Sequence, residues 1–217
     1  DQGINALNAA LMGLMGVNAI RERFREEDFV RFHPIINSGG DLVNVIPDFV
    51  KMESYTRAAN VEALLRYNTD INRALKAGAD AVGATFELHD LPGYLPLLPD
   101  EAMRGVLRDN AVALFGEDHV AVGEHSAGST EMGDVSHLMP VVHPWVGCAK
   151  GVLHGANFVL DNEEVAYEKS PEVLAMTIID LLWDDAAKAE VICANFKPVF
   201  NKETYCAFQD KIASGAC

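Results

Sequence analysis

Residues 31–57 read Arg-Phe-His-Pro-Ile-Ile-Asn-Ser-Gly-Gly-Asp-Leu-Val-Asn-Val-Ile-Pro-Asp-Phe-Val-Lys-Met-Glu-Ser-Tyr-Thr-Arg. Residues 30–37 read as a strand and 49–57 as another strand portion that alternates in character. Between them, Ser38-Gly39-Gly40-Asp41 is a turn, because glycine permits positive φ. A further strand is expected at about 42–46, interrupted by Pro47-Asp48. Outward from this hairpin the period changes. Over 4–27, Ile4, Leu7, Leu11, Leu14, Met15 and Ile20 recur near helical spacing, and Arg21 to Asp28 make a charged end. Residues 60–79 predict a second helix, with Asn60 as N-cap and Glu62 in the first turn. Residues 84–90 predict a further strand. The order α-β-β-α-β is that of a βαββαβ two-layer sandwich lacking its first strand. That strand is either absent or supplied by another segment or chain.

Leu91 to Pro99, with three prolines and a glycine, is a connector and a domain boundary. Beyond it, 100–115 predicts an amphipathic helix and 119–123 a short strand. Apolar strands are expected at 141–146 and about 149–153, and a short helix at 157–168. A long helix at 171–194 is started by Pro171 after a Ser170 N-cap, and a last helix covers 202–213. Residues 128–144, Gly-Ser-Thr-Glu-Met-Gly-Asp-Val-Ser-His-Leu-Met-Pro-Val-Val-His-Pro, have neither helical nor strand period. Gly128, Ser129 and Thr130 can present N–H groups and hydroxyls there. Glu131, Asp134, His137 and His143 set titratable groups beside them, and His154 follows. Loops of this composition on a rigid scaffold are where ligands are held.

The chain has 217 residues, 49% of them hydrophobic, enough for one large domain or two small ones. Its 32 acidic against 17 basic residues give a net charge of −15. That argues against nucleic acid or an anionic membrane as partner, since both need basic patches. No apolar run is long enough to cross a bilayer, and Asp1-Gln2-Gly3 does not open a signal peptide. The cysteines at 148, 193, 206 and 217 form no C-x-x-C pair, so a reduced, cytoplasmic protein is expected, with Cys193 in the core.

Two blocks carry a resemblance. One is Gly-Ser-Thr-Glu-Met-Gly-Asp-Val-Ser-His, then Pro, His-Pro-Trp, an isolated His154, and Ser-Pro-Glu-Val-Leu-Ala-Met-Thr-Ile-Ile-Asp-Leu-Leu. The other is Gly3 to Leu7, then Arg31 to Gly40, Asn44-Val45-Ile46-Pro47-Asp48 and Tyr55 to Ala58. Together they resemble the amidohydrolase/aminoacylase enzymes of metallopeptidase family M-twenty, in its aminobenzoyl-glutamate hydrolase and aminoacylase-like dipeptidase branches. The resemblance implies an α/β protein in two parts: a ferredoxin-like lid, or dimerisation, domain at 1–92 lacking its first strand, and the C-terminal portion of a zinc-peptidase-like catalytic domain at 93–217.

It also implies roles. His33 would stabilise the oxyanion of a tetrahedral intermediate in a neighbouring subunit's site, where an imidazole donor meets developing charge. Asn44 and Arg57 would hold the substrate's carboxylate end, for which a planar guanidinium fork is suited. Gly128, Ser129 and Thr130 match a substrate loop, with Glu131 where the family usually has Asp. His143 matches a further substrate-side position, and His154 the C-terminal metal ligand. Two zinc or other divalent ions would serve a complete site, with the remaining ligands upstream of this chain. The implied reaction is hydrolysis of the amide bond of an N-acyl amino acid, an aminobenzoyl-glutamate-like compound or a dipeptide, by a homodimer.

Each residue also has a plain reading: His33 an ordinary strand histidine, Arg57 a solvated strand-end cation, Asn44 a turn residue, Gly128 to Thr130 an N-cap before a short helix at 132–138, His154 a structural residue. His89, His119, His125 and His137 are expected at the surface or behind the site. The family's H-x-D or C-x-H segment and Glu-Glu pair do not precede the lid here, and one histidine cannot hold a catalytic zinc. The chain alone is therefore expected to be inactive. Its rival reading is a non-catalytic dimerisation module, and a weaker one is a cysteine hydrolase using Cys148 with His143 or His154.

Overall fold

The computed structural model describes residues 1–123 and 128–214; His125 and Cys217 lie outside them. The helices are α1 (Ala6–Ile20), α2 (Val61–Val82), α3 (Glu101–Phe115), α4 (Met132–Ser136), α5 (Ser170–Asn195) and α6 (Lys202–Ala213). The strands are β1 (Arg31–Ser38), β2 (Lys51–Arg57), β3 (Ala149–Lys150) and β4 (Val159–Leu160). The chain divides into two compact units. One holds Asp1–Pro96 with described residues 128–129 and 203–214; the other holds 97–123 and Thr130–Lys202. Most of α6 thus belongs with the first unit, whereas the sequence assigns all of 93–217 to one portion.

In the first unit β1 and β2 pair antiparallel, with His33 opposite Tyr55 and Arg31 opposite Arg57. Residues directly opposite share a face. Phe32 therefore points to one side, where it joins Val17 of α1 and Ile71 and Leu75 of α2 in the core. Each such side chain contributes about 1.5–3 kcal/mol of burial. The two helices meet through small residues. A Cβ on Gly78 would come within 2.2 Å of the Gly13 nitrogen, so the close approach requires glycine. Asn60 caps α2, its side-chain oxygen accepting from the Ala63 N–H at 2.9 Å, as expected from its position.

The helix expected over 4–27 stops at Ile20. Two short 3₁₀ turns follow, Arg21–Arg23 and Glu26–Asp28, and Phe29 is left-handed at φ 45°. The reason is a polar clasp. Asp28, 5% exposed, accepts from the Tyr67 hydroxyl at 2.8 Å and from Arg66 at 2.6 Å. The Tyr67 oxygen in turn accepts from the Arg25 N–H at 3.1 Å. A continuous helix would carry Asp28 away from these partners.

Several expected strands do not form. Residues 42–46 are a turn, closed by the Val45 N–H donating to the Leu42 carbonyl at 3.2 Å, with Leu42, Val43, Val45 and Ile46 exposed. Residues 84–90 have no ladder partner; Asp90 instead accepts from Asn68 and Asn72 of α2 at 2.9 and 2.8 Å. Residues 119–123 leave a 3₁₀ turn and run on irregularly. Residues 141–146 are irregular as well, with the Val141 carbonyl accepting from the Asp100 N–H at 2.8 Å. An apolar run becomes a strand only where a neighbour completes its hydrogen bonds.

In the second unit α3 begins at Asp100, whose side chain accepts from the Met103 N–H at 2.8 Å. It packs on α5. The expected strand at 149–153 shortens to β3, and the helix expected at 157–168 gives β4 followed by a π turn, Val165–Lys169. Ser170 does not cap α5; its hydroxyl donates to the Val165 carbonyl at 2.7 Å. Within α5, Trp183 is extended and Asp184, Asp185 and Ala186 are left-handed, so the helix breaks there. Cys193 is exposed rather than in the core, because the buried neighbour on its helix is Ile192.

Candidate functional site

The two-residue period of β1 and β2 decides what the first unit displays. With Phe32 turned to the helices, His33 is on the opposite face, together with Arg31, Ile35, Glu53, Tyr55 and Arg57. His33 and Tyr55 are exposed and Arg57 is half-buried. The Arg57 guanidinium stands over the Tyr55 ring at 5.9 Å from its centroid, within cation–π range. Two of the expected site residues are thus brought to one open surface, carrying an imidazole and a guanidinium on a rigid ladder. Tyr55 was not singled out from the sequence; its place two residues before Arg57 in a strand is the signal that finds it. Asn44 is not on this face. It lies exposed in the 42–45 turn between the strands.

The 128–144 stretch is split between the units. Gly128 and Ser129 belong to the first and are exposed. Thr130 opens the second, its carbonyl accepting from the Gly133 N–H at 2.9 Å to begin α4. The Thr130 hydroxyl donates to the Glu131 carboxylate at 3.1 Å. Glu131 is held below the ordinary carboxylate range by its own backbone N–H first, then by Thr130, with half-buried His143 adding favourable charge. The structure therefore joins Thr130 and Glu131 through their side chains. His143 also packs edge-on to Trp145 at 6.2 Å.

His137, expected at the surface or behind the site, is 4% exposed. Its Nδ1 is 2.8 Å from the Gly133 carbonyl, which fits an Nδ1–H donor. The adjacent Ser136 hydroxyl donates to the same carbonyl at 2.5 Å and accepts from the Leu98 N–H at 3.0 Å. The His137 carbonyl accepts from the Val199 and Phe200 N–H groups at 2.9 and 3.1 Å. This knot ties α4 to two distant segments of its unit, and it anchors the loop that begins at Thr130.

His154 stands at the exposed tip of the turn between β3 and β4, left-handed at φ 65°. The Gly155 N–H closes that turn on the Val152 carbonyl at 2.7 Å. Among the described residues no three His, Cys, Asp or Glu side chains converge to hold a metal ion. One imidazole does not make a zinc site by itself. Cys148 is half-buried, and its carbonyl accepts from the Asp161 and Asn162 N–H groups at 2.9 and 3.1 Å. Among the described residues no helix is long and apolar enough to cross a membrane.

No protein-family model matches the chain. Its sequence is similar to the Xaa-Arg dipeptidase of Mus musculus, with 26% identity over 195 residues that make up 85% of this chain and 44% of that protein. It is similar to the Xaa-Arg dipeptidase of Homo sapiens at the same 26% identity, over 84% of this chain and 43% of that one. The chain bears a distant likeness to dipeptidases. It spans less than half the length of these curated relatives.

Proposed function

We propose that this chain is the C-terminal portion of a metal-dependent enzyme that hydrolyses the amide bond of a dipeptide, and that it works as a homodimer through its first unit. The observation that supports this best is the likeness to Xaa-Arg dipeptidases along most of the chain. Among the three substrate classes implied by the resemblance, the net charge of −15 favours a cationic dipeptide over the anionic aminobenzoyl-glutamate type. In this reading His33 donates to the oxyanion that forms when the amide carbonyl is attacked, and Arg57 grips the C-terminal carboxylate with two parallel hydrogen bonds. Asn44 and residues Gly128 to Thr130 serve substrate binding in this reading, as does His143. His154 is a metal donor that this chain supplies.

The test uses the enzyme assembled with the half that the relatives possess beyond the match. His33→Ala should lower kcat about 10²–10³-fold, the loss typical of one oxyanion donor, with KM little changed. Arg57→Ala should mainly raise KM for an Xaa-Arg dipeptide. An assembled enzyme that cleaves neither such a dipeptide nor an N-acetyl amino acid would refute the reading. A second reading, a non-catalytic dimerisation module, is favoured by the absence of an H-x-D segment from the sequence. It requires the assembled protein to dimerise and remain inactive with added zinc.

A further inference from the structure

The open face of the sheet in the first unit gathers positive charge. The ladder sets Arg31 directly opposite Arg57, and His33 opposite Tyr55 in the next pair along the same face. Directly opposite side chains have Cβ atoms about 5 Å apart, so like charges there repel. Yet the chain as a whole carries −15, and Arg23, Arg25, Arg66, Arg73, Arg104 and Arg108 each pair with a carboxylate. Among the described residues Arg31 makes no ion pair; it is exposed, and its Nη1 donates to the Val30 carbonyl at 3.0 Å. Glu53, a carboxylate of β2 on the same face, pairs with Lys51 at 3.0 Å.

Cation opposite cation in so acidic a chain needs a physical reason, and an anion between the two guanidiniums supplies one. Each planar fork then makes charge-assisted hydrogen bonds instead of facing its like. A carboxylate suits the place, because its two oxygens offer about four lone-pair sites, enough for two forks. Tyr55, whose ring centroid is 5.9 Å from the Arg57 guanidinium, ties that side chain to the pair that holds His33. Successive pairs on one face of a ladder are about 7 Å apart. In a dipeptide the terminal carboxylate and the scissile carbonyl are separated by the Cα and the amide nitrogen alone. Side chains from both ladder pairs therefore reach one such substrate.

We infer that Arg31 is a second anchor for the substrate's terminal carboxylate, closing with Arg57 a two-arginine clamp that makes a free C-terminal carboxylate obligatory. This rests on the reading of the chain as part of a dipeptide hydrolase. One test uses the full chain by itself, with N-acetyl-arginine as the probe and N-acetyl-arginine amide as its control. The Nε–H NMR signals of Arg31 and Arg57 should both shift with the acid and stay in place with the amide. Arg31→Gln should weaken binding of the acid at least fivefold. An Arg31 signal that does not move, or equal shifts with the amide, would overturn the inference. In the assembled enzyme, Arg31→Gln should raise KM for an Xaa-Arg dipeptide at least tenfold with kcat unchanged. The already slow hydrolysis of the matching dipeptide amide should not change, and Arg31→Lys should recover part of the loss by restoring the charge without the fork. Equal effects on acid and amide would also overturn the clamp, since lost sheet stability does not distinguish the two substrates. A chain that binds the acid through both arginines, in an assembled enzyme that cleaves no dipeptide, would instead refute the function and leave the clamp standing.

Discussion

The helix pair of the first unit and the long helix of the second solve opposite problems. Against β1 and β2, α1 and α2 turn Val17, Ile71 and Leu75 inward, and their backbones close to glycine contact at Gly13 and Gly78. In α5 buried Thr177 faces α3, Asp180 is half-buried between Asn110 and Lys188, and the aliphatic stripe lies outside. The first arrangement closes an apolar seam between the helices and the sheet, although Leu11, Met12 and Met15 of α1 stay exposed. The second keeps its polar groups paired, but an outward apolar face gains nothing until something dries it. Site chemistry follows the same division: the sheet face opposite the closed core is free to display His33, Tyr55 and Arg57.

The hardest test of a closed helix pair is Gly78→Leu. The new side chain would meet the α1 backbone rather than a flexible neighbour. A loss of about 3 kcal/mol or more is expected in urea unfolding followed at the first unit. A loss below 1 kcal/mol would mean that the helices do not approach as described. The direct comparison is Ile71→Ala against Ile178→Ala, at 1% and 55% exposure. The first should cost about 2–5 kcal/mol through transfer and cavity, the second less than about 1. Equal losses in the isolated chain would show that α5 is already covered.

The polar inside of α5 is probed by Asn110→Leu. Asp180 and Thr177 would lose their shared donor, at a cost of about 0.5–1.5 kcal/mol because Asp180 is half-buried and keeps Lys188 nearby. A stabilised variant would show that these groups are better left unpaired than bonded. The smallest effect concerns the loop that enters α4. Because the Glu131 pKa is lowered on folding, its contribution is present above the unfolded carboxylate value and is lost as pH falls through the folded one. In an NMR titration Glu131 should have a midpoint below ordinary glutamate, and Thr130→Ala should move it upward. An unmoved midpoint would detach the hydroxyl from the carboxylate.

Much of this fold is legible locally. Asn60 and Asp100 announce helix starts because a short polar side chain there accepts an otherwise orphaned N–H. The reversal after β1 is announced by Gly39 and Gly40, although the turn itself closes at 42–45 and not at 38–41, and a period of two places His33, Tyr55 and Arg57 together once one strand face is buried. Helices α2, α3 and α6 follow from local propensity and caps, which act within a few residues. What needed the tertiary structure depends on remote partners. The runs at 42–46, 84–90 and 141–146 look like strands, but a strand exists only where another completes its ladder. Asp28 ends the first helical region because Tyr67, far along the chain, is there to bond it. His137, expected at the surface or behind the site, is buried because Leu98, Val199 and Phe200 bond across it and Ser136. For α5, a helix apolar all round has no sequence signal for which side faces in. The side that faces in carries buried Val173 and Thr177, with Asn110 of α3 beside Thr177 and Asp180.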